Sequence, residues 1–163
     1  MTPNAVRVRQ NYWAILVAAL ACFCFEAVWY SLFMATWLNG TGRTVESIEQ
    51  AGKAAGLSEW MMYGTAFVCA AVMATAISCI TQLTGPQTAA RGVKAGALLW
   101  LGFAATVWAT EYVFEVRPLS LFAVNAGFWL VGMVVMGAVV GGWKKKEAGA
   151  AQDVRAGATA MKA

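Results

Sequence analysis

The charged residues of this chain fall into short clusters, and the intervals between them are long and apolar. Between Asn11 and Gly42 only Glu26 carries a charge, and Trp60–Ala90, Ala95–Thr110 and Leu119–Trp143 carry none. A helix needs about 20 predominantly apolar residues to cross the hydrocarbon core of a bilayer. Three of the intervals supply that length directly, and the one starting at Ala95 does so by extending to about Phe114. The pattern predicts transmembrane helices at about residues 12–33, 60–83, 92–114 and 119–141. The expected fold class is therefore all-α, an integral membrane four-helix bundle. A soluble bundle would keep a polar stripe at the helical period. Here WMMYGTAFVCAAVMATAISCI and LFAVNAGFWLVGMVVMGAVVGGW are apolar all the way round.

The polar segments complete the organisation. Residues 1–10 form a basic lead, residues 11–143 the transmembrane domain, and residues 144–163 a polar, Ala- and Gly-rich tail expected to be disordered. Tyr12 and Trp13 sit where interfacial anchors belong. The longest loop, residues 39–59, reads NGTGRTVESIEQAGKAAGLSE; Val45, Ile48, Ala51 and Ala55 recur in it at helical spacing and predict a short surface helix. Ser58 is placed to cap the second spanning helix, and LTGPQT stops it. The last two spans are joined by a tight hairpin around EVRPL, with Pro118 expected in the first turn of the fourth helix. Arg7 and Arg9 before an apolar run, with AALAC at Ala18–Cys22, resemble a cleaved lipoprotein signal. Ala19 stands where leucine is usual and the run stays apolar past Cys22, so the first helix is read as retained.

Composition adds class and topology. The 163 residues are 60% hydrophobic and 12% charged, outside the range of ordinary soluble domains and enough for one domain. Four crossings put the amino terminus, the middle loop and the tail on one side. That side carries Arg7, Arg9, Arg91, Lys94, Lys144, Lys145, Lys146, Arg155 and Lys162, against Arg43, Lys53 and Arg117 on the other. Basic residues concentrate in cytoplasmic loops, so both termini are expected in the cytoplasm and the 39–59 loop outside. The net charge of +4 is thus a topology signal with the lipid bilayer as partner, the lysine run at 144–146 lying near headgroups; it does not indicate nucleic acid.

The segments NYWAILVAALACFCFEAVWYSLF and GVKAGALLWLGFAATVWATEYVFEVRPLSLFAVNAGFWLVGMVVMGAVVGGW resemble a bacterial membrane family catalogued as domain of unknown function 1761. The likeness rests on a WYS signature late in the first helix, here Trp29, Tyr30 and Ser31, on the basic-proline hairpin Arg117–Pro118, and on a glycine-rich fourth helix. It covers about residues 11–143 and implies four transmembrane helices in the bacterial inner membrane. In the family pattern a small residue such as glycine is common near the Glu26 position, and a proline often follows the serine, where this chain has Leu32. The resemblance implies no activity.

Candidate chemistry centres on Glu26. An acidic side chain at the middle of a membrane helix costs roughly 2.5–3.5 kcal/mol and normally faces protein or water. With the helices run in alternating directions, Glu26, Tyr30, Tyr63, Thr65, Glu111, Tyr112 and Asn125 all fall in the outer half of the bilayer. One reading makes Glu26 neutral, or hydrogen-bonded across the bundle, as a structural link. The other makes it part of a polar cavity lined by Glu26, Tyr30, Tyr63, Glu111 and Asn125, open outward and taking a cation or small polar solute. Glu111 and Glu115 share a helix face, with Arg117 beside them. They form either an interfacial ion-paired helix end or the outer mouth of that cavity, at Glu115 and Arg117.

Other features are less specific. Cys22 and Cys24 lie about 200° apart around a helix, Cys69 and Cys79 nearly three turns apart, and the chain has no histidine, so the cysteines are read as small apolar core residues and no metal or cofactor is expected. Gly92/Gly96 and Gly137/Gly141 are GxxxG pairs that permit close helix contact, within the bundle or in a homo-oligomer. Three function classes follow. The favoured one is a non-enzymatic membrane protein with a packing, assembly or membrane-partner role. The alternative is a transporter or channel component using Glu26. A membrane enzyme is disfavoured, because the only Asp is Asp153 in the tail and no nucleophile has a visible partner.

Overall fold

The computed structural model describes residues 8–145. Arg7 and the start of the basic lead, and the tail from Lys146 with Arg155 and Lys162, lie outside the described residues. The elements are α1 (Tyr12–Thr41), α2 (Val45–Ala54), α3 (Glu59–Leu83), α4 (Ala89–Leu99), a π-helical turn (Trp100–Ala105), α5 (Thr106–Phe114) and α6 (Leu119–Gly142). The protein is all-α, and α4, the π turn and α5 run on as one helix. Four helices, Tyr12–Thr41, Glu59–Leu83, Ala89–Phe114 and Leu119–Gly142, are long and apolar enough to cross a membrane.

Side-chain caps start most of them. Asn11, Thr44, Ser58 and Thr88 accept hydrogen bonds from the N–H groups of Ala14, Ser47, Met61 and Arg91, as N-cap residues do. The Thr88 cap begins the third span at Ala89 rather than at the expected residue 92. At the fourth span Pro118 lies just outside the first turn, not in it: its ψ of 142° is extended, and its carbonyl accepts from the N–H groups of Leu121 and Phe122. The largest departure is in α1, which continues past the expected end near residue 33 to Thr41 and takes the NGT sequence out of the loop. Nothing between Ser31 and Leu38 breaks a helix; Gly42 does, with a left-handed φ of 64°, and the Arg43 N–H then donates to the Leu38 carbonyl.

At the centre stands α6, packed against α1, α3 and α4. Half of its membrane-length window is buried, against 6% for the Ala89–Phe114 helix, which lies along its outside. Alanines of α1 and α3 (Ala18, Ala19, Ala70, Ala74) receive the larger Phe128, Met133, Met136 and Val140 of α6. Against α4 the fit is backbone to backbone: a β-carbon on Gly92 would collide with the Gly137 carbonyl, and one on Gly96 with that of Met133. The two GxxxG faces therefore meet each other inside the chain. Trp13, Leu20, Leu32, Val72, Leu98 and Phe103 point outward, as side chains do when lipid is the solvent. One end of the bundle is tied by polar links: the Arg9 N–H donates to Gln82 Oε1 at 2.9 Å and Asn11 Nδ2 to the Trp143 carbonyl at 3.2 Å. That end gathers both ends of the described chain, and α2 lies at the other.

The π turn has a packing reason. At 100° per residue, Tyr112 would stand roughly 160° around a regular helix from Gly96, facing away from α6. One extra residue in the turn takes back about 100° of that. Tyr112 is accordingly buried, and Trp100 in the turn donates its indole N–H to the Ala126 carbonyl at 2.9 Å.

Candidate functional site

The Tyr12–Thr41 helix is 30 residues long, about 45 Å, and so outruns the roughly 30 Å core of a bilayer. Its last turns project with α2 beyond the start of α3, and a half-open cavity of about 810 Å³ lies between them. From α1 come Glu26, Tyr30, Met34, Trp37 and Leu38; from α2, Val45, Ile48, Glu49, Gly52 and Lys53; from the start of α3 and the turn before it, Leu57, Ser58, Glu59, Met62 and Tyr63. The order along the helices sets the depth: Glu26 and Tyr63 are innermost, and Glu49, Lys53 and Glu59 form the rim. α2 is a roof, its apolar side over the cavity and none of its residues fully buried.

Glu26 is partly buried, and among the described residues no side chain donates a hydrogen bond to it or pairs with it. One turn further, Tyr30 is fixed from behind. Its hydroxyl donates to Asn125 Oδ1 at 2.8 Å, and Asn125 Nδ2 donates to the Tyr112 hydroxyl at 2.6 Å. The Tyr30 ring is also held against Phe128 and edge-on to Trp37, at centroid separations of 5.5 and 6.0 Å. Across the cavity, Tyr63 packs edge-on against Phe23 at 6.2 Å.

The expected set is therefore split. Glu26, Tyr30 and Tyr63 line the cavity. Asn125 does not reach it and acts one step back, through Tyr30. Glu111 is exposed on α5, away from the cavity, because α6 stands between α5 and α1. Glu115 and Arg117 form an ion pair at the α5–α6 hairpin, with Arg117 5.6 Å over the Tyr112 ring. They do not form the mouth, which α2 and the start of α3 supply instead. Thr65 donates to the Met61 carbonyl of its own helix at 2.8 Å. Of the cysteines only Cys22 is in the core; the 200° step that puts it against α6 turns Cys24 outward, Cys69 is exposed, and Cys79 is partly buried and accepts from Gln10. The rim residues Glu49, Lys53 and Glu59 were not in the sequence-based set. The signal for them was present in the amphipathic spacing of Val45 and Ile48, which implies that α2 covers something.

No curated protein and no solved structure matches this chain. A family described as protein of unknown function, DUF1761, matches residues 13–141, which takes in all but the outermost residues of the four long apolar helices, together with the roof and the cavity lining. The four-helix domain that builds this cavity thus places the chain in the DUF1761 family.

Proposed function

We propose that the chain is a non-enzymatic, multi-pass protein of the bacterial cytoplasmic membrane that binds a small amphipathic solute in the cavity beneath α2, on the outer face. The observation that carries this reading is the carboxylate of Glu26 at the inner end of a cavity of about 810 Å³, without a protein partner among the described residues. A charge at such depth costs a few kcal/mol, and an unpaired one adds nothing to packing that leucine would not do better. The bundle is joined without it, by the Gly92–Gly137 contact and by the Tyr30–Asn125–Tyr112 links. The α2 roof is bracketed by Gly42 and Gly56, both in the left-handed region, which gives it hinges through which a solute can enter. Binding of this kind suits a carrier or a solute sensor. A packing or assembly role finds less support, because the glycine faces suited to self-association are already used within the chain.

The test compares wild type, Glu26→Gln and Glu26→Leu in lipid nanodiscs, by folded yield and by thermal shift across a panel of small amphipathic solutes. At least one solute class should stabilise the wild type and fail to stabilise Glu26→Leu. A panel that shifts neither protein, with Glu26→Leu less stable than wild type, would return Glu26 to a structural role.

A further inference from the structure

Among the described residues, the inner end of the cavity offers acceptors and no cation. Glu26 and Tyr30 are four residues apart and so share one face of α1. The Tyr30 hydroxyl proton is committed to Asn125 Oδ1 at 2.8 Å, which leaves a lone pair of its oxygen for a donor in the cavity. The Asn125 amide is in turn held by Tyr112, so this polarity is fixed from behind. Among the described residues no cation pairs with Glu26: Arg117 is paired with Glu115, and Lys53 sits at the rim on α2 without an ion pair to it. The lining as a whole carries three carboxylates, Glu26, Glu49 and Glu59, against the single ammonium of Lys53. The rings of Tyr30, Tyr63 and Trp37 line the same cavity, and aromatic faces attract cations.

We infer that the ligand of this cavity is a protonated lipophilic amine, its ammonium seated against Glu26 and Tyr30 and its apolar body lying along Met34, Trp37, Ile48 and Met62. The inference deepens the proposed binding function and rests on it. Other classes fit less well. An inorganic cation needs several oxygen ligands at once, and among the described residues no group of three or more acidic or other ligating side chains comes together. An anionic amphiphile would set like charge against Glu26. A quaternary ammonium would satisfy the charge and leave the Tyr30 oxygen without a donor.

Four congeners sharing one apolar body separate these cases: phenylbutylammonium, phenylbutyltrimethylammonium, phenylbutanol and phenylbutanoate. Each is titrated calorimetrically at neutral pH into the protein in phosphatidylcholine nanodiscs, with uptake by empty nanodiscs subtracted. The primary ammonium should bind about tenfold more tightly than the alcohol, as a charge-assisted hydrogen bond provides. The trimethylammonium should fall several-fold below the primary ammonium, and the carboxylate should be weakest. In Glu26→Gln the ammonium should drop about tenfold, to about the affinity of the alcohol; continued binding of the alcohol shows the cavity intact. Tyr30→Phe should narrow the gap between primary and quaternary ammonium, and it carries the test should Glu26→Gln fold poorly. An alcohol or carboxylate that binds wild type as tightly as the ammonium overturns the amine assignment and leaves solute binding standing. Absence of binding by all four overturns both.

Discussion

Gly92 and Gly137 approach so closely that a methyl group on either would displace the backbone of the other helix. No side chain is available there to yield, so Gly92→Ala must part α4 from α6, at a cost of about 1–3 kcal/mol. Gly64 in α3 is the contrasting case, with nothing within 4 Å of an added β-carbon. Gly64→Ala should be neutral or stabilise by up to about 1 kcal/mol, since alanine loses less backbone freedom in a helix. Thermal unfolding of the two variants in one detergent checks the pair; equal effects would contradict the interface. The GxxxG spacing made these glycines legible as a contact face, but spacing cannot say which helix the face meets. A second residue-scale prediction concerns Val116, whose φ of 52° is left-handed and whose side chain is 88% exposed. It occupies the position where helices commonly end on glycine, with the Arg117 N–H donating to the Tyr112 carbonyl at 2.9 Å. A β-branched residue there costs about 1–2 kcal/mol and packs against little. Val116→Gly should therefore raise the melting temperature, by an amount worth about 1 kcal/mol. EVRPL contains no Gly or Asn, so the hairpin was legible through Pro118 while its strained residue was not.

Among the elements, α2 depends most on its own ends, because it is short and packs only over the cavity. Thr44 and Ser47 form a reciprocal capping box at its start. Thr44→Ala removes one arm of that box and should cost α2 about 1 kcal/mol while leaving the bundle intact. A spin label at Gln50 should become more mobile in this variant, with the melting temperature nearly unmoved; a large fall in melting temperature would mean that α2 is integral to the core. Glu46, next along, has its carboxyl held below the usual value by its own backbone N–H first and by the Thr44 hydroxyl second. A depressed pKa means stabilisation that is present above the ordinary value of 4.5 and lost as pH falls through the lower folded value. The same label should accordingly loosen on acidification below about pH 4.5, and Glu46→Gln should remove that component. The existence of α2 was legible from its spacing, and the Ser58 cap from its place before an apolar run. The full length of α1 and the π turn were not. Hydropathy marks where a helix becomes too polar for lipid, not where it stops, and the π turn answers a demand made by α6 on Gly96 and Tyr112 together.

For the whole molecule, the decisive fact is the position of α6 between α1 and the α4–α5 helix. Depth along each helix is legible in a sequence, and Glu26, Tyr30 and Tyr63, expected at similar depth, line one cavity. The order of helices around the centre is not, and it separates Glu26 from Glu111 while letting Asn125 bridge Tyr30 and Tyr112. The same arrangement sharpens the question of orientation. Arg9, Arg91, Lys94, Lys144 and Lys145 flank the tied end of the bundle, and Arg43, Lys53 and Arg117 the end with the cavity. Cytoplasmic ends collect lysine and arginine, so the tied end should face the cytoplasm and the cavity should open outward. Ser47→Cys on α2 and Lys145→Cys beyond α6 report on the two ends. In a chain with its four native cysteines replaced by alanine or serine, a membrane-impermeant maleimide should label Ser47→Cys in intact cells and Lys145→Cys only after lysis. The reverse pattern would turn the cavity to the cytoplasm, and any amine bound at Glu26 would then be drawn from the cell interior.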